Sequence, residues 1–440
     1  MYSYNGKNLM DKTNFLNAFV LFLLLTLVSG PKLVSTVRAG TITVPDDFST
    51  IQEAIAFAEE GDTVLVKKGV YPVDENSTIV ISKTLLLIGE DPASTMILGA
   101  SSNQYDKGVA IRLAAPSITI SGFTITNFRV AIATANYGAE PYPSGCRIIN
   151  NNIVNNSEGI RPQRNDLLIL ENNIAKNGVG VAGYNTENVF ITQNNITENG
   201  YGVNIGICRN ITISKNQISD NTGAINLVYY GPYFVYGNNI TNNSWGIRFA
   251  EACSNATVYG NNIAQNGVGV VLLNFPNAGD IVVSGVGNTV FGNLFLNNTK
   301  QVAKEESSFN YPNTTRMGTD IVSWDNSTLG NYWSDYSGLD YNNDGIGDTA
   351  YIIDENNKDN YPLMNPVDLE VIPEFSSPSP EPTPTPIQSP TPESTYSPEP
   401  TLTPEPFPTT LAIASVIAVM SVVGLGLMVY LKKRSQLQRN

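Results

Sequence analysis

The sequence predicts an all-β chain: a right-handed parallel β-helix of roughly 22-residue coils with an N-terminal capping helix, then a disordered stalk and one C-terminal transmembrane helix. Two observations predict the solenoid. The stretch "NNIAKNGVGV" (Asn172 to Val181) returns as "NNIAQNGVGV" (Asn261 to Val270) with a single residue changed. The isoleucine of that motif also recurs at Ile153, Ile174, Ile196, Ile218, Ile240 and Ile263, spaced 21, 22, 22, 22 and 23. Counted from it, aliphatic residues stand at −7, −5, 0, +7 and +9, which reads as short strands of period two separated by turns. A third observation, the unlike composition of the two ends, sets the domain organisation.

Residues 1–39 read as a signal peptide. Lys7 and Lys12 precede an apolar run from Phe15 to Val28, and Val37 and Ala39 suit cleavage after Ala39. The ectodomain is expected over 40–368. It opens with "STIQEAIAFAEEG", where Thr50 with Glu53, or Ser49 with Gln52, forms a capping box and Gly61 stops the helix. Coils follow over about 62–300, then a C-terminal capping block over about 301–368. Residues 369–410 form a stalk rich in Pro, Ser, Thr and Glu, too polar to bury a core and held extended by its prolines. Leu411 to Leu431 is uncharged and apolar, and 21 helical residues span about 31 Å, the thickness of a bilayer core. The tail 432–440 opens with Lys432, Lys433 and Arg434, which places it on the cytoplasmic side and the bulk of the chain outside.

Two columns of asparagine run through the repeat. Asn151, Asn172, Asn194, Asn216, Asn238 and Asn261 stand at −2; Asn156, Asn177, Asn199, Asn221, Asn243 and Asn266 stand at +3. Asparagine tolerates a left-handed backbone at turns, and its amides can donate to and accept from each other when coils stack. The columns are therefore structural.

The chain carries a net charge of −14 and a pI near 4.5, which argues against nucleic acid as a partner. It has no histidine, which excludes imidazole catalysis and histidine metal sites. Three cysteines, Cys146, Cys208 and Cys253, are too few for a disulfide framework. Cys208 and Cys253 fall two coils apart, about 10 Å, beyond disulfide reach.

The opening "STIQEAIAFAEEGDTVLVKKGVY…TLLLIGED" resembles the start of pectin-lyase-like β-helix proteins. "GFTITN" (Gly122 to Asn127) and the "NNI…NGxGV" coils resemble their carbohydrate-binding and sugar-hydrolase repeat group. "GNYWSDYSGLDYNNDGIGDTAYIIDENNKDNYPL" (Gly330 to Leu363) is similar to the terminal block of NosD-type proteins, named for a copper-binding accessory factor of nitrous-oxide reductase. The resemblance implies a β-helix envelope protein over about 41–368. Copper would call for histidine, methionine or exposed cysteine in a cluster, so no copper is expected.

The strongest site motif is "DYNNDGIGD". Asp340, Asn342, Asp344, the Ile346 carbonyl and Asp348 stand at calcium-loop positions 1, 3, 5, 7 and 9, with Gly345 at 6. Tyr351 stands where the bidentate acid belongs, so a structural calcium ion is expected rather than an EF-hand. For binding, Phe234, Tyr236 and Tyr259 are expected to share an outer face, with Trp245 in a nearby turn, as a platform for sugar rings. Catalysis is weakly signalled. The acids of the coils (Glu158, Glu187, Glu198, Asp220, Glu251) are sparse, and Arg161 to Arg164 and Arg248 read as solvated outer-face residues. Ten N-x-S/T sequons, among them Asn155, Asn195 and Asn242, admit glycosylation. The expected function is a membrane-anchored, non-catalytic cell-surface protein that binds or organises envelope polysaccharide or surface-layer proteins. The alternatives are a polysaccharide lyase or epimerase and, more weakly, a copper accessory factor.

Overall fold

A computed structural model describes residues 39–74, 77–100, 108–134, 143–163, 166–274, 282–306, 316–318 and 321–366. The signal segment up to residue 38, the stalk, the apolar run 411–431 and the basic tail lie outside the described residues. No helix among the described residues is long and apolar enough to cross a membrane.

The described residues of the unit Met1–Thr383 form a parallel β-solenoid. Each regular coil supplies three strands, such as Asn152–Val154, Glu158–Arg161 and Leu167–Leu170. The short strands stack into an 11-stranded sheet and the longer ones into a 19-stranded sheet. The repeat isoleucines pair in unbroken register, Ile153 on Ile174, then Ile196, Ile218, Ile240 and Ile263. Each is fully buried, as are the −5 column from Ile148 to Val258 and the +7 column from Ile160 to Val270. Period-two alternation turns these side chains inward, and the parallel register piles like on like into one long core.

At its N-terminal end, helix α1 (Ile51–Phe57) starts at Thr50, whose hydroxyl accepts from Glu53 N while the Glu53 carboxylate accepts from Thr50 N. Ile51, Ala54 and Ile55 form its buried face. Lys83 Nζ donates to the carbonyls of Ala56 (2.8 Å) and Ala58 (2.5 Å), groups the helix end leaves free. At the other end larger side chains take over the isoleucine column. Phe295 follows Ile263 and Trp333 follows Phe295. The rings of Phe295, Trp333 and Tyr351 stack at 4.3 Å intervals within 9° of parallel.

The asparagine columns are hydrogen-bonded ladders. Asn151 N and Nδ2 donate to Asn172 Oδ1 at 3.0 and 3.1 Å, and the same pair of bonds recurs from coil to coil. The −2 ladder runs past Asn261 to Asn293 and Asn331 and ends on Asp359. The +3 ladder runs to Asn298 and ends on Gln301 Oε1. The left-handed residues are not the ladder asparagines, contrary to the expectation. They are the residues immediately before them, for example Gln193 (φ 56), Lys215 (φ 56) and Glu198 (φ 55). The division of labour is physical. The residue before the ladder makes the corner, and the asparagine, its backbone free of that strain, feeds its amide into the coil below.

Candidate functional site

An open groove of about 540 Å³ lies on the outer side of the solenoid. It crosses five coils, from Glu158 and Arg161 through Tyr184, Asn204 and Asn226 to Glu251. Four steps of about 4.8 Å make it roughly 19 Å long. Its floor is the +8 column. Ala182 pairs with Asn204, Asn204 with Asn226, and Asn226 with Arg248. Arg161 stands one residue beyond the Ile160–Val181 pair, at the same position of the preceding coil.

The charges of this column have ionic partners, although Arg248 does not line the groove and its buried Nε has no hydrogen-bond partner. Arg161 makes a bidentate pair with Glu158, through Nε to Oε2 and through its terminal nitrogen to Oε1. Arg248 lies over the Trp245 ring at 5.9 Å and has Glu305 at 3.7 Å. Arg161 and Arg248 are thus half-buried and paired, not the solvated residues expected, while Arg164 lies outside the described residues. Between them Asn226 Nδ2 donates to Asn204 Oδ1 at 2.9 Å. The Oδ1 of Asn226 is buried and has no hydrogen-bond partner. Tyr184 stands 51% exposed on one wall, and Tyr229 lines the same space. The signal for this site in the sequence was the pair Asn204 and Asn226 standing between two arginines of one column, a short run beside the far more regular Asn columns at −2 and +3.

The expected aromatic platform is only partly assembled. Tyr236 and Tyr259 do stack, at 5.0 Å and 15°. But Tyr259 is 2% exposed, sandwiched between Tyr236 and Phe291, whose ring lies 5.6 Å away. A ring with neighbours on both faces offers none to a sugar. Phe234 and Tyr236 remain partly exposed. Trp245 opens the strand Trp245–Tyr259 rather than lying in a turn. It belongs with Tyr201, 5.7 Å away edge-on, because Gly223 between them leaves space for the indole.

The acidic loop folds on itself. Asp340 accepts from the backbone N–H of Asp344 (3.3 Å) and Gly345 (2.9 Å), Asp344 from that of Ile346 (2.8 Å), and Asp348 from that of Tyr341. Asn342 Oδ1 accepts from Asp344 N at 3.0 Å. Gly345 takes φ +88, as the sixth position of the motif demands. Among the described residues no three acidic, cysteine or histidine side chains come together as a metal-holding group.

The fold and the groove define a class: an elongated parallel β-solenoid with a polar, ligand-sized furrow across its coils. Residues 61–338 match the family model described as periplasmic copper-binding protein (NosD). The chain belongs to this family. It is 39% identical over 69 residues to the probable ABC transporter binding protein NosD of Stutzerimonas stutzeri, a match covering 16% of this chain and 13% of that one. Among solved structures it is similar to a family 6 polysaccharide lyase from Pseudopedobacter saltans (14% identity, TM-score 0.42, 79% of this chain and 97% of that one). It is also similar to the A-module of the mannuronan C-5 epimerase AlgE4 of Azotobacter vinelandii (15% identity, TM-score 0.38, 58% and 91%).

Among the described residues the side chains do not fit a copper ion. There is no imidazole in the chain. The three thiols are buried and free; burial pushes Cys146 and Cys208 up to about 11 and raises Cys253 as well, so none is a thiolate at neutral pH.

Proposed function

We propose that the chain is an exported, membrane-anchored surface protein whose solenoid binds a glycan chain in the groove from Glu158 to Glu251, without cleaving it. The observation that carries this reading is the groove itself. Amide side chains and tyrosine rings are the groups that hydrogen-bond sugar hydroxyls and cover their apolar faces. Five coils of rigid sheet hold them in a row. Its two carboxylates, Glu158 and Glu251, stand four coils apart, roughly 19 Å, where a glycosidase pair needs about 5–9.5 Å. The export signal, stalk and apolar C-terminal run of the sequence support surface display, with envelope polysaccharide or surface-layer proteins as neighbours.

A lyase or epimerase reading draws on one observation, the Arg161 guanidinium held against Glu158 inside the groove. A glycan-array screen of the full chain with product analysis separates the two. Binding without new reducing ends or unsaturated products, lost in Tyr184→Ala, supports the binding reading. Product formation abolished by Arg161→Ala supports the enzyme and overturns it.

We further propose a structural calcium ion on Asp340, Asn342, Asp344, the Ile346 carbonyl and Asp348. Since these carboxylates now serve backbone N–H groups, binding requires them to turn inward, which makes the affinity modest. A calcium titration followed by melting temperature tests this.

A further inference from the structure

The groove is built on the longer strands and leaves the 11-stranded sheet of short strands free. We propose that the outer face of this sheet docks a second copy of the chain, coil against coil, with the two solenoid axes parallel.

The face is uncharged. None of the eleven described short strands, from Gly69–Val73 to Tyr332–Trp333, contains Asp, Glu, Lys or Arg. The longer strands differ, for they carry Arg112, Arg147, Arg209 and Lys304 among others. Two copies of net charge −14 repel at long range, and a charge-free face lets them meet without setting like charges together.

Its side chains are already ordered. With the repeat isoleucines buried, the residues on either side of them point outward. One outward column is Asn152, Asn173, Asn195, Gln217, Asn239 and Asn262. The other, from Val154 to Ala264, holds only Val, Ala, Thr and Ser. The amides bond along the solenoid: Asn173 Nδ2 donates to Asn152 Oδ1 (2.7 Å), Asn195 Nδ2 to Asn173 Oδ1 (2.8 Å), and Asn239 Nδ2 to Gln217 Oε1 (2.6 Å). Side-chain ladders hold a sheet flat, and docking on them immobilises little that is still free.

A second copy fits this face because it has the same coil spacing, so rows stay matched along the whole length. A two-fold axis along the solenoid sets the larger amide column of each copy against the small column of the other. The second N–H of an amide can then donate to Thr197, Ser219 or Thr241. The same operation lays the apolar ends on their own copies: Val70, 60% exposed, with Met96 at one end, and Leu296 with Tyr332 at the other. Ten steps of about 4.8 Å by three residues of about 3.3 Å give about 500 Å² per copy. The pair then buries about 1,000 Å², where specific association begins, so the dimer is weak, of micromolar dissociation constant.

The test is analytical ultracentrifugation of the full chain over a concentration series. A dimer is expected, with a dissociation constant raised at least tenfold in Gln217→Arg and not raised in Glu187→Arg, which alters an exposed residue of the longer sheet. Gln217 is exposed, so its variant should keep the melting temperature of the unaltered chain. The three native cysteines are buried, which leaves Leu296→Cys as the reactive thiol. A short bis-maleimide is expected to join two copies of that variant, since parallel axes bring Leu296 near its own copy. A monomer at every concentration overturns the proposal, and so does a dimer untouched by Gln217→Arg. A dimer broken by Gln217→Arg in which Leu296→Cys does not link overturns the parallel arrangement. A glycan on Asn195, read from the mass of the same sample, would cover the face and overturn the proposal as well.

Discussion

Asn331 donates its backbone N–H to Oδ2 of Asp359 at 2.7 Å, and so closes on a carboxylate the chain of amides that begins at Asn151. The ending makes chemical sense. Each asparagine accepts from one neighbour and donates to the next, whereas a carboxylate only accepts. Trp333 Nε1 (2.9 Å) and Tyr361 N (3.0 Å) bring two further donors to the same group.

Burial of Asp359 raises its pKa from 3.8 to about 6, against the pull of those donors. A folded-state pKa above the unfolded one means that the folded protein holds the proton more tightly. Asp359 therefore contributes stability that is fully present below about pH 4 and lost as pH rises through 6, roughly 3 kcal/mol in all. Asp359→Asn removes the titration. The difference in melting temperature between the two proteins, followed from pH 7 to pH 4, should move in favour of the unaltered chain; a constant difference would show that Asp359 is ionised throughout.

Within the ladders, Asn216→Ala leaves Asn194 N without its acceptor and removes a donor from Ile191 O, both buried. The expected loss is about 2–4 kcal/mol. Asn195→Ala, the neighbouring coil's exposed residue one step from its ladder, should change stability by less than about 0.5 kcal/mol. Urea denaturation of both variants distinguishes a structural ladder from a decorative one.

Corners before the ladder give a test of opposite sign. Gln193 is exposed at φ 56, and Gly237 takes φ 63 at the same point of its own coil. Gln193→Gly should therefore stabilise, by up to about 1 kcal/mol, and Gln193→Val should destabilise by about 1–2 kcal/mol. Equal midpoints for the two variants would mean the corner carries no strain.

Gly223 holds its place by sterics. A Cβ there would lie 2.0 Å from the Trp245 ring. Gly223→Ala should push the indole off Tyr201 into solvent and shift its emission to the red. Trp324 and Trp333, 1% exposed, should not follow.

The coils were legible in the sequence because solenoid packing repeats one local rule. An inward aliphatic every second residue and an asparagine just after each corner recur with nothing to disguise them between Ile153 and Ile263. The rule was harder to follow where side chains outgrew it. Phe295 and Trp333 continue the isoleucine column, and Asn293 and Asn331 the ladder, but two irregular coils and a change of residue size concealed the period. Glycines before Asn261, Asn293 and Asn331 were the surviving signal. The groove was not legible in the sequence, since which outward columns face a furrow depends on where the chain turns, at left-handed Asn185, Ile207 and Tyr229. The aromatic platform is only partly assembled for a related reason: equal register places Tyr236, Tyr259 and Phe291 one above another, and stacking takes both faces of Tyr259.

The central claim, that this groove is the working surface, is tested most directly by hydrogen–deuterium exchange of the full chain with and without its tightest array glycan. Protection gathered at residues 158–163, 182–184, 204–206 and 226–229 is the predicted result. Protection at Phe234 and Tyr236 instead, with these four stretches unchanged, would contradict it.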